Sequence, residues 1–103
     1  MGDFKQIDVH AAREMLDKGG VTIVDIRDDA SFQQAHIAVA ISVNDQNIKE
    51  FIRETDKDKP LICYCYHGIS SQSAASFLKD HGFKDVYSMI GGFEQWQKNY
   101  LKR

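Results

Sequence analysis

The stretch Cys65-Tyr66-His67-Gly68-Ile69-Ser70-Ser71 holds the residue types and spacing that point to chemistry. The apolar run Leu61-Ile62-Cys63-Tyr64 before it reads as a buried strand. Residues 72–81 after it carry Ala74, Phe77, Leu78 and His81 at helical spacing, which predicts a helix with those positions inward. A free thiol ionises near ~8.5, and a helix N-terminus or a neighbouring cation lowers that value to roughly 3.5–7.5. First-turn amides have no internal partner and face an anion placed before them. Loop amides curling around the sulfur add to the same nest. Cys65 is therefore the candidate nucleophile, a thiolate at neutral pH.

The rest of the loop serves that sulfur. Gly68 permits a backbone conformation that a side chain obstructs. Ser70 and Ser71 are expected to cap the following helix and to donate hydroxyls toward the sulfur. Tyr66 forms part of the rim, and Ile69 completes the loop. Two readings stand for His67: positive charge near an anionic substrate, or a side chain turned to solvent. Cys63 lies inside the apolar run and reads as core, because there is no second cysteine pair and His10, His36, His67 and His81 lack zinc-finger spacing. No metal or other cofactor is called for.

Composition excludes several classes. A chain of 103 residues is expected to be one domain over 1–103, with 43% hydrophobic and 27% charged residues. Thirteen Lys and Arg against fifteen Asp and Glu give −2 without a block of like charge, so neither a nucleic-acid stripe nor a membrane-binding face is expected. No run is long enough to span a bilayer, and the Met1-Gly2-Asp3-Phe4 start lacks a signal-peptide core. Two cysteines make no disulfide framework, so a reducing cytoplasm is the expected compartment.

The positioning elements alternate. Residues 4–7 read as a short edge strand. Asp8 caps a helix over Val9–Lys18, with Ala12, Met15 and Leu16 inward and Gly19-Gly20 ending it. Residues 21–26 form a nearly continuous apolar strand. An ion-paired turn of Asp25, Arg27 and Asp28 leads to a short helix over residues 30–36 that carries Phe32, with His36 bonded locally. Residues 40–43 form a strand, and Ile48, Phe51 and Ile52 mark a helix ending near Thr55. Pro60 suits the entry to the Leu61–Tyr64 strand. Gly82 ends the central helix, residues 85–89 form the last strand, and Gly91-Gly92 lets the backbone turn closely beside the Cys65 loop. A helix over residues 93–101 follows, with Phe93, Trp96 and Tyr100 on one side. This alternation predicts an α/β fold: a central five-stranded, mostly parallel sheet with helices on both faces. Ligands sit at the carboxyl ends of such strands, where Cys65 lies.

Three segments together resemble the rhodanese, or sulfurtransferase, family. Val24-Asp25-Ile26-Arg27-Asp28 with Phe32 and His36-Ile37 is similar to its N-terminal signature, residues 65–70 to its active-site loop, and residues 86–93 with Trp96 to its C-terminal signature. The resemblance covers nearly the whole chain. It implies a rhodanese-like domain and a ping-pong transfer of sulfur through a persulfide on Cys65. Thiosulfate or another sulfane-sulfur donor would load the cysteine, and cyanide or a thiol, thioredoxin among them, would unload it. Two departures stand out. Many relatives have basic residues after the cysteine, where this chain has Tyr66 and His67. The family's Gly-His-Ile-x-Gly-Ala segment is here Ala35-His36-Ile37-Ala38-Val39-Ala40.

Rival functions use the same elements. A cysteine phosphatase or arsenate reductase needs an arginine six positions on to clamp a tetrahedral oxyanion, and Ser71 stands there. A non-catalytic binding module of this family usually lacks the cysteine. A protein-to-protein persulfide relay would use the same residues.

Overall fold

The computed structural model describes residues 3–101, so the Met1-Gly2 start lies outside the described residues. Five strands, β1 (Lys5–Ile7), β2 (Thr22–Asp25), β3 (Ile41–Ser42), β4 (Leu61–Tyr64) and β5 (Val86–Met89), form one sheet in the order β1-β5-β4-β2-β3. All four pairings are parallel. Because β4 lies at the centre, all four of its residues are buried, as a strand covered on both faces requires.

Side chains alternate across the sheet. Ile23, Ile62, Tyr64 and Met89 meet α1 (Val9–Lys18) and α5 (Gly92–Trp96) through Val9, Ala12, Phe93 and Trp96. Val24, Leu61, Cys63 and Val86 face α3 (Ile48–Glu54) and α4 (Ser70–Asp80) through Phe51, Ala75 and Leu78. The short α2 (Asp29–Gln34) follows β2. Local chemistry sets the boundaries: the Asp8 carboxylate accepts from the Ala11 N–H at 2.8 Å to start α1, and Gly19 ends it at φ 82°.

Two local expectations change, and one departure from the family pattern leaves its mark on the backbone. On α4 the inward stripe is Ser71, Ala75 and Leu78, whereas Phe77 is 42% exposed and lies tilted against the His81 ring instead. The face is rotated because the first turn brings a serine, not an alanine, against the sheet. The last helix is not uniform: after Trp96 the chain widens into a π-helical turn, Gln97–Leu101. In that turn Tyr100 packs 4.8 Å from Trp96 and its hydroxyl meets His10 Nδ1 at 2.7 Å. Finally, Val39 has φ 67° where the family pattern has glycine. A β-branched side chain in that region is strained.

Candidate active site

The central strand ends at Tyr64, and the chain then curls so that Cys65 sits beneath the loop with 7% of its surface exposed. The Gly68 N–H donates to Sγ at 3.1 Å and the Ser71 N–H at 3.3 Å. The Ser71 hydroxyl lies 3.5 Å from Sγ, and the Ile69 amide adds to the set. Burial alone would push the thiol up. The hydrogen bonds of Ser71, Gly68 and Ile69 outweigh it and hold Cys65 below the ordinary thiol value.

Two helix starts build this cradle. Residues 68, 69 and 71 lead into α4 and turn their amides toward the sulfur. The first turn of α5 holds the loop from outside: the Phe93 N–H donates to the Cys65 carbonyl at 2.8 Å, and the Glu94 N–H to the Tyr66 carbonyl at 3.0 Å. Loop carbonyls are thereby bound by α5, leaving loop N–H groups for the anion. Glycines make the approach possible. A Cβ on Gly92 would lie 2.4 Å from the Tyr66 carbonyl oxygen, and one on Gly68, at φ 91°, would lie 2.8 Å from the Gly91 nitrogen.

The other predicted residues divide. Tyr66 is 40% exposed at the rim, against His67 edge-on and beside the Gln97 amide at 3.5 Å. His67 is exposed, but its Nδ1 is 2.9 Å from a Glu94 carboxylate oxygen, so its ring is paired rather than free. Ile69 is 72% exposed at the mouth. Ser70 is exposed and opens α4, yet Ile69 holds the N-cap position and no side chain caps the helix. The expected serine cap is replaced by the sulfur, which accepts first-turn amides in its place. For the other half of that expectation, the Ser71 hydroxyl lies within 3.5 Å of the sulfur. Cys63 is core: its S–H donates to the Ser71 carbonyl at 3.2 Å, and burial pushes the thiol up to about 12.

Beside the loop, Arg27 and Asp25 form the expected ion pair. The guanidinium meets both carboxylate oxygens, Nε at 3.2 Å from Oδ1 and Nη2 at 2.8 Å from Oδ2, and lies 4.2 Å over the Phe93 ring. Burial works against the charge on Arg27, but the hydrogen bonds and charge of Asp25 outweigh it and raise its pKa. Tyr64, beneath them, is pushed up by burial and then by Asp25, while its hydroxyl accepts from the Ile37 N–H at 3.1 Å. A cavity of about 350 Å³ between this pair and the loop is lined by Arg27, Gln34, Tyr66 and Gln97 among others. His36 bonds locally, its Nδ1 2.7 Å from the Phe32 carbonyl.

Sequence reasoning missed two partners. Ser88 of β5, fully buried, lies with its hydroxyl 2.7 Å from that of Ser71. A lone polar residue among Val86, Tyr87 and Met89 was the available signal. Glu94 carried no signal short of the contact itself.

Such a molecule is a parallel α/β domain that presents a cysteine sulfur in a cradle of backbone amides at the carboxyl end of its central strand. The chain belongs to the rhodanese family: residues 8–99 match the model described as a rhodanese-like domain. The thiosulfate sulfurtransferase GlpE of Shewanella oneidensis is 47% identical over 98 residues, covering 95% of this chain and 97% of that protein. Its counterpart from Coxiella burnetii is 45% identical over 97 residues, covering 94% and 91%. A rhodanese-related protein from Thermoplasma volcanium matches the fold with a TM-score of 0.80 at 24% identity over 94% of each chain. No helix of the described residues is long and apolar enough to cross a membrane.

Proposed function

We propose that this chain is a thiosulfate sulfurtransferase, acting as one domain by a ping-pong mechanism through a persulfide on Cys65. The Cys65 thiolate attacks the outer sulfur of thiosulfate. A bond forms between the two sulfurs, and the S–S bond of thiosulfate breaks with its electron pair leaving on sulfite. Cyanide or a thiolate then attacks the outer sulfur of the persulfide and releases the Cys65 thiolate. Thioredoxin or another dithiol is the acceptor class in a reducing cytoplasm, which suits two free thiols.

The observation that carries this reading is the set of N–H groups on the Cys65 sulfur, at 3.1 Å from Gly68 and 3.3 Å from Ser71. Donors fixed in that arrangement favour the anion that attacks and the anion that leaves. Tyr66, His67, Gly68, Ile69, Ser70 and Ser71 form the wall against which the donor binds. Ser71 stands where a phosphatase loop needs its clamping arginine, which disfavours that rival. A protein-borne persulfide as donor is the second reading. The exposed apolar side chains of Tyr66, Ile69 and Ile90 favour it, because they suit a protein surface better than a small dianion.

Incubation with thiosulfate is expected to add the mass of one sulfur atom to the intact protein. Cys65→Ser should abolish the gain completely, and Cys63→Ser should leave it. A gain that survives in Cys65→Ser, or that vanishes in Cys63→Ser, overturns the assignment.

A further inference from the structure

Ser88 is the buried polar side chain that the strand pattern does not explain. It lies in register with Cys63 on one side and Gln6 on the other. Alternation along β5 places it on the face of Val86, which packs with Cys63, Ala75 and Leu78. A hydroxyl in such surroundings costs free energy unless it is hydrogen-bonded. Among the described residues its partner is the hydroxyl of Ser71, at 2.7 Å. Ser71 is also fully buried, and that same hydroxyl lies 3.5 Å from Cys65 Sγ.

Proton counting decides the direction of this chain. Each serine has one O–H proton, and a thiolate only accepts. If Ser71 donates to Ser88, the sulfur loses a donor and the Ser88 proton is left against apolar neighbours. If Ser88 donates to Ser71, the Ser71 proton goes to the sulfur and both protons are used. Hydrogen bonds in series in a low-dielectric site also polarise one another. We propose that Ser88 is a positioning residue, whose hydroxyl donates to Ser71 and thereby commits the Ser71 proton to the Cys65 sulfur. Its consequence for turnover rests on the sulfurtransferase reading; its effect on ionisation does not.

The groups around the sulfur leave this effect visible. Cys63 stays neutral, with its thiol pushed up to about 12. His67 is turned to Glu94, and Arg27 is engaged by Asp25.

The test follows thiolate ultraviolet absorbance against pH in the full chain, without any sulfur donor. Ser88→Ala should raise the titration midpoint of Cys65 by about 0.5–1 unit, the scale of one lost hydrogen bond in series. The same substitution should add nothing in a Ser71→Ala background, and Ser88→Thr should keep the wild-type midpoint. If Ser88→Ala does not fold, the near-equal-volume pair Ser88→Thr and Ser88→Val carries the same comparison, with only valine raising the midpoint. An unchanged midpoint without the hydroxyl, or an equal shift with and without Ser71, overturns the proposal. A chain that titrates as expected yet takes no sulfur from thiosulfate sinks the function proposed above and leaves this role standing.

Discussion

Residues 26–40 leave the end of β2 and residues 65–69 leave the end of its neighbour β4, and the two segments treat polarity in opposite ways. After β2 the polar groups satisfy each other. Arg27 pairs with buried Asp25, and its Nη2 also donates to the Ala35 carbonyl at 2.6 Å. Asp28 caps α2 by accepting from the Ser31 N–H and hydroxyl, which hold its carboxylate below the usual range. After β4 the amides converge on a single sulfur that carries no counter-charge. Backbone strain divides the same way: Gly68 takes φ 91° without a Cβ, whereas Val39 takes φ 67° with a branched one. A self-neutralised segment holds shape, and a segment of convergent donors holds an anion. Position at the carboxyl end of a strand is not sufficient for chemistry.

The sharpest test of that contrast uses the two thiols that touch Ser71. Cys63 gives its proton to the Ser71 carbonyl, and Cys65 receives the Ser71 amide. Iodoacetamide on the native protein should therefore alkylate Cys65 at least about a thousandfold faster than Cys63, which reacts only when the fold opens. The rate at Cys65 should be half-maximal below ~8.5, because its thiol is held down by the loop. The sign for stability follows. A folded-state value below the unfolded one adds stability that is full above ~8.5 and is lost as pH falls through the folded value. Stability of Cys65→Ala should lack that rise. Peptide mapping after timed alkylation checks the ratio, and equal labelling of both thiols would break the contrast.

The same two segments show which parts of the molecule are written locally. Asp8 and Gly19 act through neighbours within a few residues, so their roles as cap and stop can be read from the chain, whereas Asp28, expected in the ion-paired turn, caps α2 instead. The apolar run at Leu61–Tyr64 announces a central strand for the same reason. Cys65 and Gly68 are also legible, since a thiol at a strand end and the glycine after it are a local pattern. Ser88 and Glu94 meet the loop across 17 and 27 positions, and no spacing rule spans that distance. Phe77 misled because helical periodicity scores apolarity, while the stripe on α4 was set by Ser71 bonding to Ser88 across the sheet face. In the widened turn Gln97–Leu101, Tyr100 meets His10 across 90 positions, a contact equally beyond any spacing rule.

A second prediction removes the self-neutralisation. Arg27→Met leaves the Asp25 carboxylate buried and unpaired; in the native pair the two side chains are 8% and 0% exposed. Breaking such a pair costs about 3–5 kcal/mol, and replacing both partners recovers much of it. Urea unfolding should show that loss for Arg27→Met and a smaller one for Arg27→Met with Asp25→Asn. The pH midpoint for Cys65 alkylation should stay in place, since the amides on the sulfur come from the other segment. A loss under about 1 kcal/mol would mean that the pair is not what organises residues 26–40.

The smallest effect tests the strain at Val39. Its side chain is 76% exposed, so little burial is lost when it is removed. A branched residue at φ 67° stores about 1–3 kcal/mol. Glycine removes that strain but gains about 0.5–1 kcal/mol of unfolded-chain freedom. Val39→Gly should therefore stabilise the protein by about 1 kcal/mol, a rise in melting temperature of roughly 4–8 °C. Val39→Ala should fall between, because it removes the branch and keeps the Cβ. If glycine lowers the melting temperature instead, the valine must be held by contacts with the groove it lines beside Trp96 and Tyr100. Strain would then no longer separate the segment after β2 from the loop after β4, and the contrast would rest on charge alone.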